Sequence, residues 1–274
     1  MAFNGQKFEW IRYVPKKENE TDFQYMGPND ELIARCDSLK DLGVLLSCNL
    51  SFSLQIEKAI NGANRMLGWG LRTFRSRGSL LLITILNTLV QPQLDYCNEL
   101  WSPSDQGSIN RIEKIQKKLI SCMKDQRLDA LSYWDKLRAL KLRSQERRRE
   151  RAAIIFIWKI SQNLVSGYDV TFTAKESRLG RKAVPHQVTL SAPASVRNAL
   201  TGSLAVKGAK LFNLLPLQLR NSDHGDIPMF KNHLDFYLDD IPDEPTVPGL
   251  TRAAATNSLL EQVPMFNVNN NVLF

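Results

Sequence analysis

The sequence predicts a mainly α chain. A small β-hairpin or sheet opens it, a helical bundle follows, and a mixed C-terminal extension leads to an acidic tail without fixed structure. Three observations predict this. Apolar and polar side chains alternate over residues 6–14 (Phe8, Trp10, Tyr13), the two-residue period of a strand. From Ser53 onward apolar residues recur at spacings of three and four, the period of a helix buried on one side. After Asp239-Asp240-Ile241-Pro242 the composition turns to Pro, Thr, Asn and Ala, which offer little to bury. These shifts divide the 274 residues into segments 1–52, 53–166, 167–240 and 241–274.

The polar stretch KKENETD follows the first strand, and residues 23–26 read as its returning hairpin partner. Residues 41–46 (DLGVLL) read as a third strand, with Gly43 marking either a close backbone approach or a simple bulge. In the first helix Ile56, Ile60, Ala63, Leu67, Leu71 and Phe74 share one face. Opposite them stand Lys58, Arg65 and Arg72. Seven residues return to nearly the same azimuth, so these cations form a line, with Trp69 beside it. Trp69 reads as packing on a neighbour or as stacking on a base. A second helix over about 80–91 turns Leu82, Ile85, Leu86 and Leu89 inward and should stop at Pro92.

A third helix, about 107–124, carries the apolar stripe Ile109, Ile112, Leu119 and Met123 and a second basic row, Arg111, Lys114 and Lys118. Ser132-Tyr133-Trp134-Asp135 reads as a capping box opening a short helix to about Lys141. In the next helix Arg143, Arg147 and Arg151 share a face while Ala152, Ile155, Phe156 and Ile160 point to the core, and Gly167 is placed to end it. Its arginine cluster reads as a helix laced with its own ion pairs, the alternative being an RNA-binding or nuclear-import patch. Residues 170–198 lose clear periodicity and read as loop with short strands. Helices follow at about 202–213 and 228–239.

Charge is uneven along the chain: about −2 over 1–53, +9 over 54–151, +7 over 152–222 and −6 over 223–274. A basic middle suits a polyanion, or an ordinary basic protein with an acidic tail that competes for the same helices. Cys36, Cys48, Cys97 and Cys122 form no CxxC pair, and His186, His224 and His233 are not spaced with them as ligands, which excludes a zinc knuckle. Scattered thiols, no apolar run of membrane-spanning length and no signal-peptide core point to an intracellular protein.

Several segments, in order and at sensible spacing over roughly residues 3–245, resemble the C-terminal part of jockey-like LINE (non-LTR) retrotransposon reverse transcriptases. FNGQKFEWIRY (3–13) resembles the segment that closes the palm, and Lys40-Asp41-Leu42-Gly43-Val44 the primer-grip hairpin. ANRMLGWGLRTFRSR (63–77) resembles the first thumb helix. LVQPQLDYCNELWSP (89–103), INRIEKIQKKL (109–119), SYWDKLRALKLRSQERRRER (132–151), GAKLFNLLPLQLR (208–220) and FKNHLDFYL (230–238) match successive later segments.

The resemblance implies a palm remnant over 1–52, a thumb-like bundle over 53–166 and an extension beyond it. It implies RNA or an RNA–DNA duplex as partner, gripped by Lys58, Arg65, Arg72, Arg111, Lys114 and Lys118, with Asp41, Leu42, Gly43 and Val44 as the primer-grip-like turn. In the family a Tyr-x-Asp-Asp hairpin and a further Asp hold Mg²⁺. Those carboxylates lie upstream of the matched region, so this chain alone is expected to hold no metal or cofactor and not to polymerise DNA. Tyr237-Leu238-Asp239-Asp240 spells the tetrapeptide but ends a helix before Pro242, outside any strand–turn–strand setting. The alternative reading is a host-recruited helical module that binds proteins, or a second copy of itself through the surface that would have met the palm.

Overall fold

The computed structural model describes residues 8–13, 24–27, 30–165, 170–175, 184–190, 203–221, 226–245 and 257–269. The chain is mainly helical, with small two-stranded sheets at its start. β1 (Glu9–Trp10) pairs in parallel with β2 (Ala34–Arg35), not with residues 23–26 as the hairpin reading expected. Met26 instead bridges Leu32. The Trp10 ring explains the choice: it donates to the Ile33 carbonyl (3.2 Å), meets Tyr25 edge-on and carries Arg35 over its face. β3 (Ser38–Asp41) and β4 (Val44–Ser47) form an antiparallel hairpin whose two turn residues are Leu42 and Gly43.

α1 (Ser53–Thr73) buries Ile56, Ile60, Ala63 and Leu67, as its period requires. α2 (Ser79–Ile85) does not stop before Pro92. A π-helical turn (Leu86–Val90) carries it into α3 (Gln91–Asp95). In that turn the Gln91 N–H reaches the Leu86 carbonyl five residues back, and the shifted register takes in a residue that has no N–H to give. The composite helix lies close against α1. A Cβ on Gly70 would meet Ile85 Cγ2 at 2.9 Å, and one on Gly62 would meet Gln93 Oε1 at 2.9 Å. α4 (Asn98–Trp101) and α5 (Gln106–Ser121) follow, and Ser132 caps α6 (Tyr133–Ala139) by accepting from the Asp135 N–H, as expected. Ala63, Leu82, Val90, Trp101, Ile112 and Leu119 centre the first core.

α7 (Gln145–Ser161) ends short of Gly167, which lies outside the described residues. Asn163 takes the left-handed conformation (φ 56°), and the N–H groups of Asn163 and Leu164 reach back to the Ile160 and Lys159 carbonyls, a Schellman close. The second half of α7 buries Ile154, Ile157 and Trp158 in a second core. Trp158 stacks on Phe230 at 4.4 Å. That core gathers α8 (Ala209–Asn213, entered through a π turn, Leu204–Gly208), α9 (Leu217–Asn221), α10 (Ile227–Asp239) and α11 (Leu259–Asn269). The stretch read as loop over 170–198 holds an antiparallel pair, β5 (Val170–Lys175) and β6 (Val184–Leu190).

The first half of α7 corrects the sequence reading. Together with Arg143, just before the helix, its arginines other than Arg149 bond to other elements, not to their own helix. The terminal guanidinium nitrogens of Arg149 are buried without a hydrogen-bond partner among the described residues. Arg143 and Arg151 converge on Asp235 of α10, Arg143 also takes Asp239 (2.7 Å), and Arg148 takes Asp95 (2.8 Å). Arg147, 1 % exposed, donates to the Ile241 and Pro242 carbonyls and lies 3.8 Å from Asp243. Glu146 and Glu150 are buried too. Glu150 accepts from Lys207, the Ser258 hydroxyl and the Leu259 N–H, so it caps α11 from outside. Glu146 accepts from the Asn257 N–H. The tail expected to lack fixed structure is therefore folded where it is described: Ile241, Leu259 and Val263 lie in the second core.

Burial, and then the nearby Glu150 charge, push the Glu146 carboxyl up to about 7 from 4.5. A carboxyl raised on folding favours the native state below its unfolded value and loses that contribution as pH rises through its folded value. Stability in urea should fall for the native chain between about pH 5 and pH 8, and Glu146→Gln should flatten that fall. An unchanged pH profile would reject the assignment. Glu150→Ala leaves Lys207 without its carboxylate and α11 without its cap; a loss of about 3 kcal/mol is expected from urea midpoints, with faster amide exchange over 257–269.

Candidate nucleic-acid interface

Elementary electrostatics separates two kinds of basic surface here. Arg143 and the arginines of α7 are paired or, in the case of Arg149, buried, and none can be offered to a polyanion without breaking a pair or opening the core. α1 and α5 are different. Between Glu57 and Asp95 the sequence has no acidic residue, yet it carries Lys58, Arg65, Arg72, Arg75 and Arg77.

Glu57 and Lys58 are neighbours about 100° apart around the helix axis, and they reach opposite ways. Glu57 accepts both guanidinium nitrogens of Arg111 on α5, which hold its carboxyl below the ordinary range. Lys58 donates to the Gly43 carbonyl at the hairpin turn. The solvent face of α1 thus lies between α5 on one side and the β3–β4 hairpin on the other. Further along, the Lys124 N–H donates to the Arg77 carbonyl (2.9 Å), so α5 accompanies α1 in the same direction over its length. Arg77 itself turns back onto the Leu71 carbonyl (2.7 Å) and the Phe74 carbonyl, closing the C-terminus of α1 with the charge its dipole favours.

The six cations singled out in the sequence fall into three groups. Arg65, Arg72, Lys114 and Lys118 are exposed and make no ion pair or hydrogen bond among the described residues. Arg111 is exposed but held by Glu57. Lys58 is exposed but committed to the hairpin. Lys117, not singled out earlier, sits over the Tyr133 and Trp134 rings at 4.9 and 5.3 Å and marks the far edge of the α5 face.

The hairpin turn is brought beside this face. Leu42 and Gly43 both have positive φ (43° and 93°), as a two-residue hairpin turn of the mirror-image type demands. Gly is suited to this and Leu is not. Gly43 also has the Tyr96 ring against it, 3.3 Å from where a Cβ would be, while the Tyr96 hydroxyl donates to the Leu42 carbonyl. The turn is pinned from two sides, and its strained Leu42 side chain projects 84 % exposed. Asp41 is exposed at the end of β3. Val44 is 4 % exposed and belongs to the first core, so it anchors the turn instead of meeting solvent.

The cavity lined by Glu99, Ser102, Arg149 and Lys207 holds about 20 Å³, room for a water and not a substrate. Among the described residues no group of three His, Cys, Asp or Glu is placed to hold a metal ion. In Tyr237-Leu238-Asp239-Asp240, Leu238 is core and Asp239 is tied to Arg143 at the end of α10. No helix among the described residues is long and apolar enough to cross a membrane. No family model, curated protein or solved structure matches the chain.

Sequence reasoning found the two basic rows by period alone. It missed the three contacts that assemble them, Glu57–Arg111, Lys58–Gly43 and Tyr96–Leu42, because the partners lie 54, 15 and 54 residues apart. Leu42→Asn should relieve the positive-φ strain and raise stability by up to about 1 kcal/mol, read as a higher thermal midpoint. A lower midpoint would show that the turn conformation is not the strained one.

Proposed function

We propose that the α1–α5 face binds the phosphate backbone of RNA or of an RNA–DNA duplex without reading sequence, as the thumb-like part of a LINE-type reverse transcriptase. The observation that carries this is the contrast in charge pairing. Arg143, Arg147, Arg148 and Arg151 are spent on Asp95, Asp235, Asp239 and Asp243, while Arg65, Arg72, Lys114 and Lys118 stay exposed on adjacent helices without a partner among the described residues. The primer-grip-like turn standing at the edge of the same face agrees with the family resemblance. Of the described carboxylates of the acidic C-terminal part, Asp235, Asp239 and Asp243 are engaged by Arg143, Arg147 and Arg151, so competition from these three for α1 is not part of the reading. No polymerisation step is proposed, since Asp239 and Asp240 end a helix with Asp239 held by an arginine.

Fluorescence anisotropy on a labelled RNA–DNA duplex across a salt series tests it. Arg65→Ala with Arg72→Ala should weaken binding at low salt and flatten the log–log salt slope by about 1 to 2, since each phosphate contact contributes roughly 0.9. Arg111→Ala, whose charge is already matched by Glu57, should change the slope less. No binding at low salt by a folded sample would reject the reading in favour of a helical module that binds proteins.

A further inference from the structure

We infer that Trp69 is a stacking platform for one unpaired base, so that the α1 face takes single-stranded nucleic acid or the single-stranded flank of a duplex. This rests on the backbone-binding reading above and adds to it the class of segment held.

The five tryptophans of the chain make the case by comparison. Trp101 is buried and donates to the Tyr96 carbonyl at 2.8 Å, and Trp158 is buried against Phe230. Trp10 is capped by Arg35 and bonded to the Ile33 carbonyl. Trp134 is covered by Lys117 and packed on Tyr133. Trp69 alone among them is 46 % exposed with no cation over its ring and no acceptor for its indole N–H among the described residues. Its single aromatic neighbour is Phe74, edge-on at 6.2 Å and itself 38 % exposed.

Its position gives the ring a use. Arg65, Trp69 and Arg72 stand at i, i+4 and i+7, one ridge of the helix, with the two arginine α-carbons about 10 Å apart along the axis. An aromatic ring set between two unpaired arginines on an acid-free face is the arrangement that lets bases stack while phosphates are neutralised on either side. A base inside a duplex has both faces taken by its neighbours and a blunt end offers only one face of a closed pair, so the ring favours an unpaired base. Tyr and His are absent from this ridge, and the small Gly68 beside Trp69 leaves its flank open apart from the Arg72 guanidinium, 3.3 Å from where a Cβ would be.

The test compares the full chain with Trp69→Ala, Trp69→Phe and the Arg65→Ala/Arg72→Ala double variant. The probes are labelled uridine and thymidine strands of about 12 nucleotides and a blunt duplex of the same length. Trp69→Ala should weaken binding to both single strands by roughly 10- to 100-fold, leave the blunt duplex within about two-fold and keep the salt slope, while Trp69→Phe retains most of the affinity. Quenching of tryptophan emission by the single strands should be largely lost in Trp69→Phe. Equal loss on strands and duplex, or no loss on strands, overturns the stacking role. If the arginine double variant binds all probes as the native chain does, the backbone reading fails instead, whatever Trp69 does. Because Trp69 is half exposed, unchanged circular dichroism and melting will show that the variants fold.

Discussion

The charged first half of α7 is the constraint on which the rest of the structure depends. Arg147 and Glu150 are each almost fully buried, as are Glu146 and Arg149 beside them. Taking such groups out of water is costly unless neighbouring elements bring partners, and all of them but Arg149 find one among the described residues. α3 brings Asp95, α10 brings Asp235 and Asp239, and the residues after α10 bring Asp243. On its other side α7 meets α5 through Glu113, which is buried, raised above the ordinary carboxylate range by that burial, and bonded to the Tyr133 hydroxyl and the Gln145 N–H. One helix is thereby shared by two cores, polar where it joins the first and apolar where it centres the second.

This arrangement also divides the basic residues by role. A high count of arginines gave no indication of which were spent on structure. Among the described residues, Arg143, Arg147, Arg148 and Arg151 are paired with carboxylates, while Arg65, Arg72, Lys114 and Lys118 on α1 and α5 are exposed and without a partner. Net charge alone would have assigned the densest cluster, Arg143 to Arg151, to the ligand. Geometry assigns it to the fold.

What was legible in the sequence follows the same line. Periodicity located α1, α5, α7 and α10, and the buried faces of α1 and α5, because those two pack on one side and show it in the spacing of Ile and Leu; α7 is buried around its charged first half, which no apolar period announces. Ser132 was readable as a cap because its effect is local, three residues long. The parallel β1–β2 pairing, the passage through Pro92 and the folded tail were not readable, since each depends on a partner far along the chain or on a helical register the sequence does not announce. The basic rows were legible; their division into spent and exposed cations was not, because Glu57 meets Arg111 across 54 residues.

The cap that Glu150 places on α11 has a consequence in time. The carboxylate is synthesised 108 residues before the Ser258 hydroxyl that it accepts from. At ribosomal rates that interval is roughly 5 to 20 seconds. Through it, the nascent chain holds an acid group on a helix whose apolar half is already complete, with the covering helix still unmade. The second core is therefore sealed only once residues 257–269 have been made.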